Sequence, residues 1–141
     1  MAHDSDFHFN QIEHNKSLLE YLDQEFPDDF FDWKITILFY NAVHYWGALA
    51  CFCNINVGSH EERAESFDPN RNATYPAPGV SWKTYGKLKR IRRDCSYNGF
   101  LSKDAYMKQL GKEYGICKSY LESLKKDIEN EIEKIKKRST E

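Results

Sequence analysis

The sequence predicts an all-α protein, an antiparallel four-helix bundle with one short accessory helix. Apolar residues recur at helical spacing in four long stretches. Proline-, glycine- and asparagine-bearing breaks fall between those stretches, and no convincing strand or internal repeat interrupts them. With 141 residues the chain supports one domain, residues 1–141, around a single core. Residues 1–9 and 138–141 read as loose ends.

The first helix is expected from about Asn10 to Glu25, with Ile12, Leu18, Leu19 and Leu22 as its apolar positions. Phe26-Pro27-Asp28-Asp29 ends it, because the residue before a proline avoids the helical region.

The second helix, Trp33 to Cys53, is the most apolar stretch and the centre of the core. Ile35, Leu38, Phe39, Ala42, Trp46, Leu49 and Cys53 share one face, and Trp33, Ile37, Tyr40, His44 and Cys51 share the other. A helix apolar nearly all round is buried on more than one side. Its length would also suit a membrane span, but Lys34, Asn41 and His44 are costly in hydrocarbon and no second span accompanies it. Asp28, Asp29 and Asp32 are placed to cap this helix and to complement its positive end.

Ser59 and Glu62 have the spacing of a capping box, which predicts a short helix from His60 to about Phe67. Asp68 to Val80, with three prolines and Gly79, reads as a long surface loop. Ser81 is placed to cap a third main helix, Trp82 to about Cys95, with Leu88, Ile91 and Cys95 as its core stripe. Lys83, Lys87 and Arg90 fall on a face that is solvated by default. Arg92 borders the buried stripe beside Tyr85 and Leu88, where its guanidinium would be partly desolvated, and Arg93 lies on the other flank near Lys89. Asn98-Gly99 breaks the helix. The last helix, Ser102 to about Lys137, carries Leu110, Cys117, Leu121, Leu124, Ile128, Ile132 and Ile135 at helical spacing, with Gly111 and Gly115 weakening its first third.

A formal net charge of −2 conceals a strong polarity: residues 1–35 carry −7, residues 36–80 carry −2 and residues 81–141 carry +7. A basic C-terminal half suggests nucleic acid or an acidic protein as partner, although the two halves can also neutralise each other within one bundle. The polar, acidic first ten residues do not make a signal peptide, so the N-x-S/T sites at Asn15 and Asn72 are expected to be unused. Cys51, Cys53, Cys95 and Cys117 form no CxxC pair and fit reduced thiols in a cytoplasmic protein.

Most chemistries lack their residues. The five histidines are scattered, His60-Glu61-Glu62-Arg63 lacks the second histidine of HExxH, and neither a P-loop nor GxGxxG is present, so no metal and no cofactor is expected. His44 and Cys51 are seven residues apart, about 10 Å along a helix, too far for a nucleophile–base pair. The strongest constellation is Arg92-Arg93-Asp94-Cys95-Ser96-Tyr97-Asn98. Arginine matches phosphate in a bidentate fork, and tyrosine stacks on a base or bonds a sugar.

The order of elements resembles the HEPN family, all-α domains of prokaryotic toxin–antitoxin and phage-defence systems and of RNA-processing proteins. The resemblance rests on Trp33–Leu49 with its Phe39-Tyr40-Asn41-Ala42-Val43-His44 centre, on Ser59-His60-Glu61-Glu62-Arg63, on Tyr85-Gly86-Lys87-Leu88, and on the arginine-rich segment closing at Tyr97. It spans most of residues 12–135. In that family an R-x(4–6)-H motif ending the third main helix cleaves RNA without metal, commonly in a cleft shared by two copies.

Carried over, the arginine is Arg92 and the histidine position holds Tyr97. A phenol with an ordinary pKa near 10 is a poor general base at neutral pH, so binding survives this departure better than catalysis. The resemblance therefore implies Arg92 and Tyr97 as the catalytic pair of a metal-independent endoribonuclease, if catalysis is kept. Arg92, Arg93, Lys89, Tyr97 and Asn98 are the RNA-binding set, and His44, Asn41, His60 and Arg63 a neighbouring cleft, with Arg92 the group that His44 and Asn41 would face. It also implies a homodimer and an antitoxin or defence-system partner. The alternative is a non-catalytic helical module for dimerisation or partner docking, its basic helix facing the acidic N-terminal region of another chain.

Overall fold

A computed structural model describes residues 5–76, 79–97 and 103–140, with side chains for 5–76, 82–95 and 104–140. Among the described residues the protein is all-helical: α1 (Ser5–Glu25), α2 (Phe31–Phe52), α3 (His60–Phe67), α4 (Gly79–Tyr97) and α5 (Lys103–Thr140). The predicted helices are all present.

The central position of α2 follows from its apolar composition. It packs against α1, α4 and α5, and α4 also packs on α5. Pairing of His8 with His44 and of Asp23 with Lys34 shows that α1 and α2 run antiparallel. Phe31 meets Tyr114 while Phe52 meets Lys136, so α2 and α5 run in the same direction. Trp46 meets Trp82 while Phe39 meets Arg92, so α4 opposes α2. Ile35, Ala42, Trp46 and Leu49 are fully buried at the centre with Phe67, Tyr85, Leu88, Cys117 and Leu124.

The other predicted face of α2 is not buried throughout: Trp33 is 62% exposed and Tyr40 is also exposed. This helix is the one described segment long and apolar enough to cross a membrane, but 61% of its most apolar window is buried inside the protein, as in a core helix.

Several boundaries differ from the sequence expectation. Helix α1 begins at Ser5, so residues 5–9 are helical rather than loose. Tertiary contact explains the extension, because His8 lies so close to Gly47 that a Cβ there would come within 2.5 Å of its ring. At the other end α5 runs through Thr140, with Lys136 over the Phe52 ring. Ser81 falls inside the first turn of α4, not ahead of it. The aspartates do not cap α2 either. Phe30 occupies the cap position with a left-handed backbone, φ 58°, and no side chain caps the helix, while Asp29 accepts a bond from the Phe30 N–H instead. Asp32 does sit in the first turn.

The capping of α3 follows the predicted box with one change. Ser59 Oγ accepts from the Glu62 N–H at 3.1 Å, but Glu62 reaches back to the N–H of Gly58 rather than of Ser59.

Candidate functional site

Between α3 and α4 lies a groove of about 300 Å³, lined by His60, Ala64, Asp68 and Arg71 on one side and by Trp82, Tyr85, Gly86, Lys89, Arg90 and Arg93 on the other. The α4 residues fall three and four apart, so they form one continuous stripe. Its first turns are aromatic and its last turns basic. Lys89 and Arg90 make no ion pair among the described residues, whereas Arg93 lies 3.5 Å from Asp94 and Arg71 pairs with Glu61 at 2.7 Å and Asp68 at 3.7 Å.

The floor is a hydrogen-bonded cluster. Tyr85 is fully buried, and its hydroxyl meets Arg63 Nε at 3.1 Å and His60 Nδ1 at 3.2 Å. Arg63 has only donors, so it occupies a lone pair of the phenol oxygen. A buried phenol proton left without an acceptor is costly, and His60 Nδ1 is the acceptor within reach. This geometry assigns the Nε2–H tautomer to His60, a donor rather than a proton acceptor at its free edge. Burial, with Lys89 and Arg63 nearby, holds the His60 pKa below its ordinary 6.5, so the ring stays neutral at pH 7. Burial raises the Tyr85 pKa against the opposing pull of Arg63, which keeps the phenol protonated.

The residues singled out in the sequence separate into distinct places. Lys89, Arg93 and His60 line the groove, and Arg63 supports its floor through Tyr85. Arg92 does not line it. One residue along a helix turns the side chain by about 100°, and Arg92 lies instead over the rings of Phe39 and Tyr40, at 5.7 and 5.9 Å. The partial burial expected of it is therefore present, but against α2. Tyr97 ends α4 by its backbone, and its side chain, like Asn98, lies outside the described residues, as does the Arg92–Tyr97 pairing.

The expected cleft of His44, Asn41, His60 and Arg63 is corrected by the structure. Asn41 is fully buried against α1, accepting from Asn15 Nδ2 at 2.9 Å, and His44 meets His8 at 3.0 Å between the two Nδ1 atoms. Both point to α1, while His60 and Arg63 serve α4. Asn41 and His44 are taken up by α1, whereas Arg92 lies over Phe39 and Tyr40, so the expected facing of Arg92 by His44 and Asn41 is not what these contacts show.

Sequence reasoning missed Arg71, Arg90, Trp82 and Gly86 as groove residues. The spacing Trp82, Gly86, Lys89, Arg90, Arg93 carried the signal for α4, but assigning Arg90 to a solvated face hid it. Nothing local marks Arg71, which reaches the groove only through the path of the chain after α3.

A second hollow of about 250 Å³ opens between α1, α2 and α5. Its rim alternates Lys16, Lys118 and Lys125 with Glu20, Asp23 and Glu122, so it presents no net charge. Among the described residues, no group of three His, Cys, Asp or Glu side chains is placed to hold a metal ion. The four cysteines form no disulfide. No protein-family model, curated protein or solved structure matches this chain.

Proposed function

We propose that this chain is a cytoplasmic, RNA-directed domain of HEPN-like design, an antiparallel four-helix bundle with α3 as its accessory helix, and that it acts by binding. The observation that carries the reading is the convergence of Lys89, Arg90 and Arg93 with the neutral donor His60 and the ring of Trp82 in one groove. Cations positioned along a helix face hold phosphates, and aromatic rings accept unpaired bases. Binding is favoured over cleavage because the groove offers no poised general base. His60 presents N–H, and Asp68 is engaged by the Asn70 N–H and by Arg71.

The test is fluorescence anisotropy with a labelled 12-nucleotide single-stranded RNA. Three phosphate contacts on a single strand give a log–log salt slope near −2, so affinity is expected to fall about 15–20-fold between 50 and 200 mM salt. Replacing Lys89, Arg90 and Arg93 together by Ala is expected to weaken binding at least tenfold, while the labelled RNA stays intact with wild type. If the triple variant binds as well as wild type, or if neither binds, the RNA reading is dropped.

A second reading, a dimerisation module built from two copies of this chain, is favoured by the outer face of α1 and α2. Leu18, Leu22, Phe26, Phe30, Trp33 and Ile37 line an almost wholly apolar hollow there. Half-exposed aromatic side chains offer on the order of 100 Å² each. With Tyr21 and Tyr40 alongside, the face therefore provides on the order of 600 Å² per chain, the size of a weak interface. Sedimentation velocity at 1–100 μM is expected to show reversible dimers that Trp33→Glu abolishes. A wild-type monomer throughout that range removes this reading.

A further inference from the structure

Gly86 stands in the middle of α4, where glycine is the least favourable residue after proline. Two structural uses would justify it, and neither is present. Gly86 is helical, without a left-handed backbone, and a Cβ built there would meet no atom of the protein within 4 Å. The space that a side chain would occupy is the groove itself, between the aromatic turn of Trp82 and Tyr85 and the basic turns of Lys89, Arg90 and Arg93. Ala64 of α3 also lines the groove and is its smallest side chain on that wall.

Resting on the RNA-binding reading above, we infer that the α3–α4 groove is a seat for one unpaired nucleotide of a single strand, with Gly86 as the point of closest approach between strand and helix. The base end is Trp82 and His60, whose rings lie within 16° of parallel at 6.1 Å between centroids. The phosphate end is Lys89 and Arg90, with Arg93 one turn further. Between them a glycine leaves room for the sugar–phosphate chain to lie against the helix, as glycine does wherever a ligand backbone comes close. The groove volume of about 300 Å³ is at the lower limit for ligand sites. It suits one nucleotide and not the paired bases of a duplex, whose edges are turned inward.

The distinguishing variants are Gly86→Ala and Gly86→Leu, which remove no charge and no aromatic ring. Both are expected to melt at or above the wild-type temperature, because each replaces a helix-interior glycine in open space. On the single-stranded 12-mer, Gly86→Leu is expected to bind at least tenfold more weakly and Gly86→Ala about threefold more weakly. A blunt duplex of the same sequence is expected to bind wild type at least tenfold more weakly than the single strand and to be indifferent to both variants. Adenosine monophosphate is expected to compete only at far higher concentration than the 12-mer.

If folded Gly86→Leu binds the single strand like wild type while the Lys89/Arg90/Arg93 triple variant does not, the groove binds RNA without seating a nucleotide at Gly86. The inference is then overturned and the RNA reading stands. If adenosine monophosphate binds as tightly as the 12-mer, the seat is one for a free nucleotide and the strand assignment fails. If wild type binds no RNA, both fall together.

Discussion

Trp46 is fully buried where α2 meets α3 and α4, with the rings of Phe67, Trp82 and Tyr85 centred 4.9, 5.3 and 6.1 Å away. Truncating so large a buried side chain leaves a cavity, so Trp46→Ala is expected to cost roughly 3–5 kcal/mol in urea unfolding. Its indole N–H is buried with no hydrogen-bond partner among the described residues. Trp46→Phe removes that orphaned donor along with part of the volume, and its cost is expected to be less than half that of alanine.

A different residue sets the response to acid. His44 and His8 share a bond between their Nδ1 atoms, which requires one of them to act as acceptor. Burial first, and the neighbouring His8 second, hold the His44 pKa below 6.5. Below pH 6.5 the unfolded chain therefore takes up a proton that the folded chain resists. Stability is complete above that pH and falls as pH drops below it. His60 acts in the same direction. The urea midpoint is expected to fall between pH 7.5 and 5.5, and to fall less in His44→Gln. An equal fall in both proteins would place the acid sensitivity elsewhere.

At the scale of elements, the junction of α1 and α2 is held by Lys34, a lysine with no exposed surface. Its ammonium donates to the Phe26 carbonyl at 2.5 Å, lies 3.3 Å from Asp23, and sits over the Phe31 and Tyr114 rings. Removing one partner of a buried pair is expensive, but the Asp23 side chain is 40% exposed, so much of the penalty is relieved by solvent. Lys34→Ala is expected to cost about 2 kcal/mol, measured by urea unfolding. The sequence marked this lysine only as a misfit for a membrane. Its neighbourhood depends on α1, the turn and α5 together, which no local pattern encodes. Helix existence was legible because apolar periodicity is a property of each stretch by itself. The early start of α1 was not, because it depends on His8 meeting Gly47 and His44, 36 residues further on. For the short helix, Ser59→Ala removes a cap that the sequence did reveal and is expected to cost about 1 kcal/mol. The same unfolding assay measures it.

For the molecule as a whole, the charge polarity was readable but its destination was not. The +7 of residues 81–141 is divided between the α4 groove, the exposed faces of α5 and Arg92, which turns to the α2 aromatics. Lys89, Arg93 and His60 were named from the sequence and do line the groove together. Asn41 and His44 were expected to face Arg92 from a neighbouring cleft. Packing sent those two to α1. Periodicity gives the face of a helix but not which neighbour covers it, so that assignment required the tertiary arrangement.

The two walls of the groove are held very differently. The α4 wall is packed on both α2 and α5, whereas α3 makes no extensive helix–helix interface. It is anchored by the buried Phe67 beside Trp46, by the Arg63–Tyr85 bond, and by Tyr75, whose hydroxyl donates to Glu131 of α5 at 2.9 Å. The opening between the walls is thus governed by a few tethers, and separation of the α3 wall is expected to cost less than global unfolding. In amide hydrogen exchange, α3 should lose its protection well before α2. A ligand bridging the walls should slow α3 selectively and leave the exchange of α1 unchanged, a footprint that requires no knowledge of the ligand's sequence.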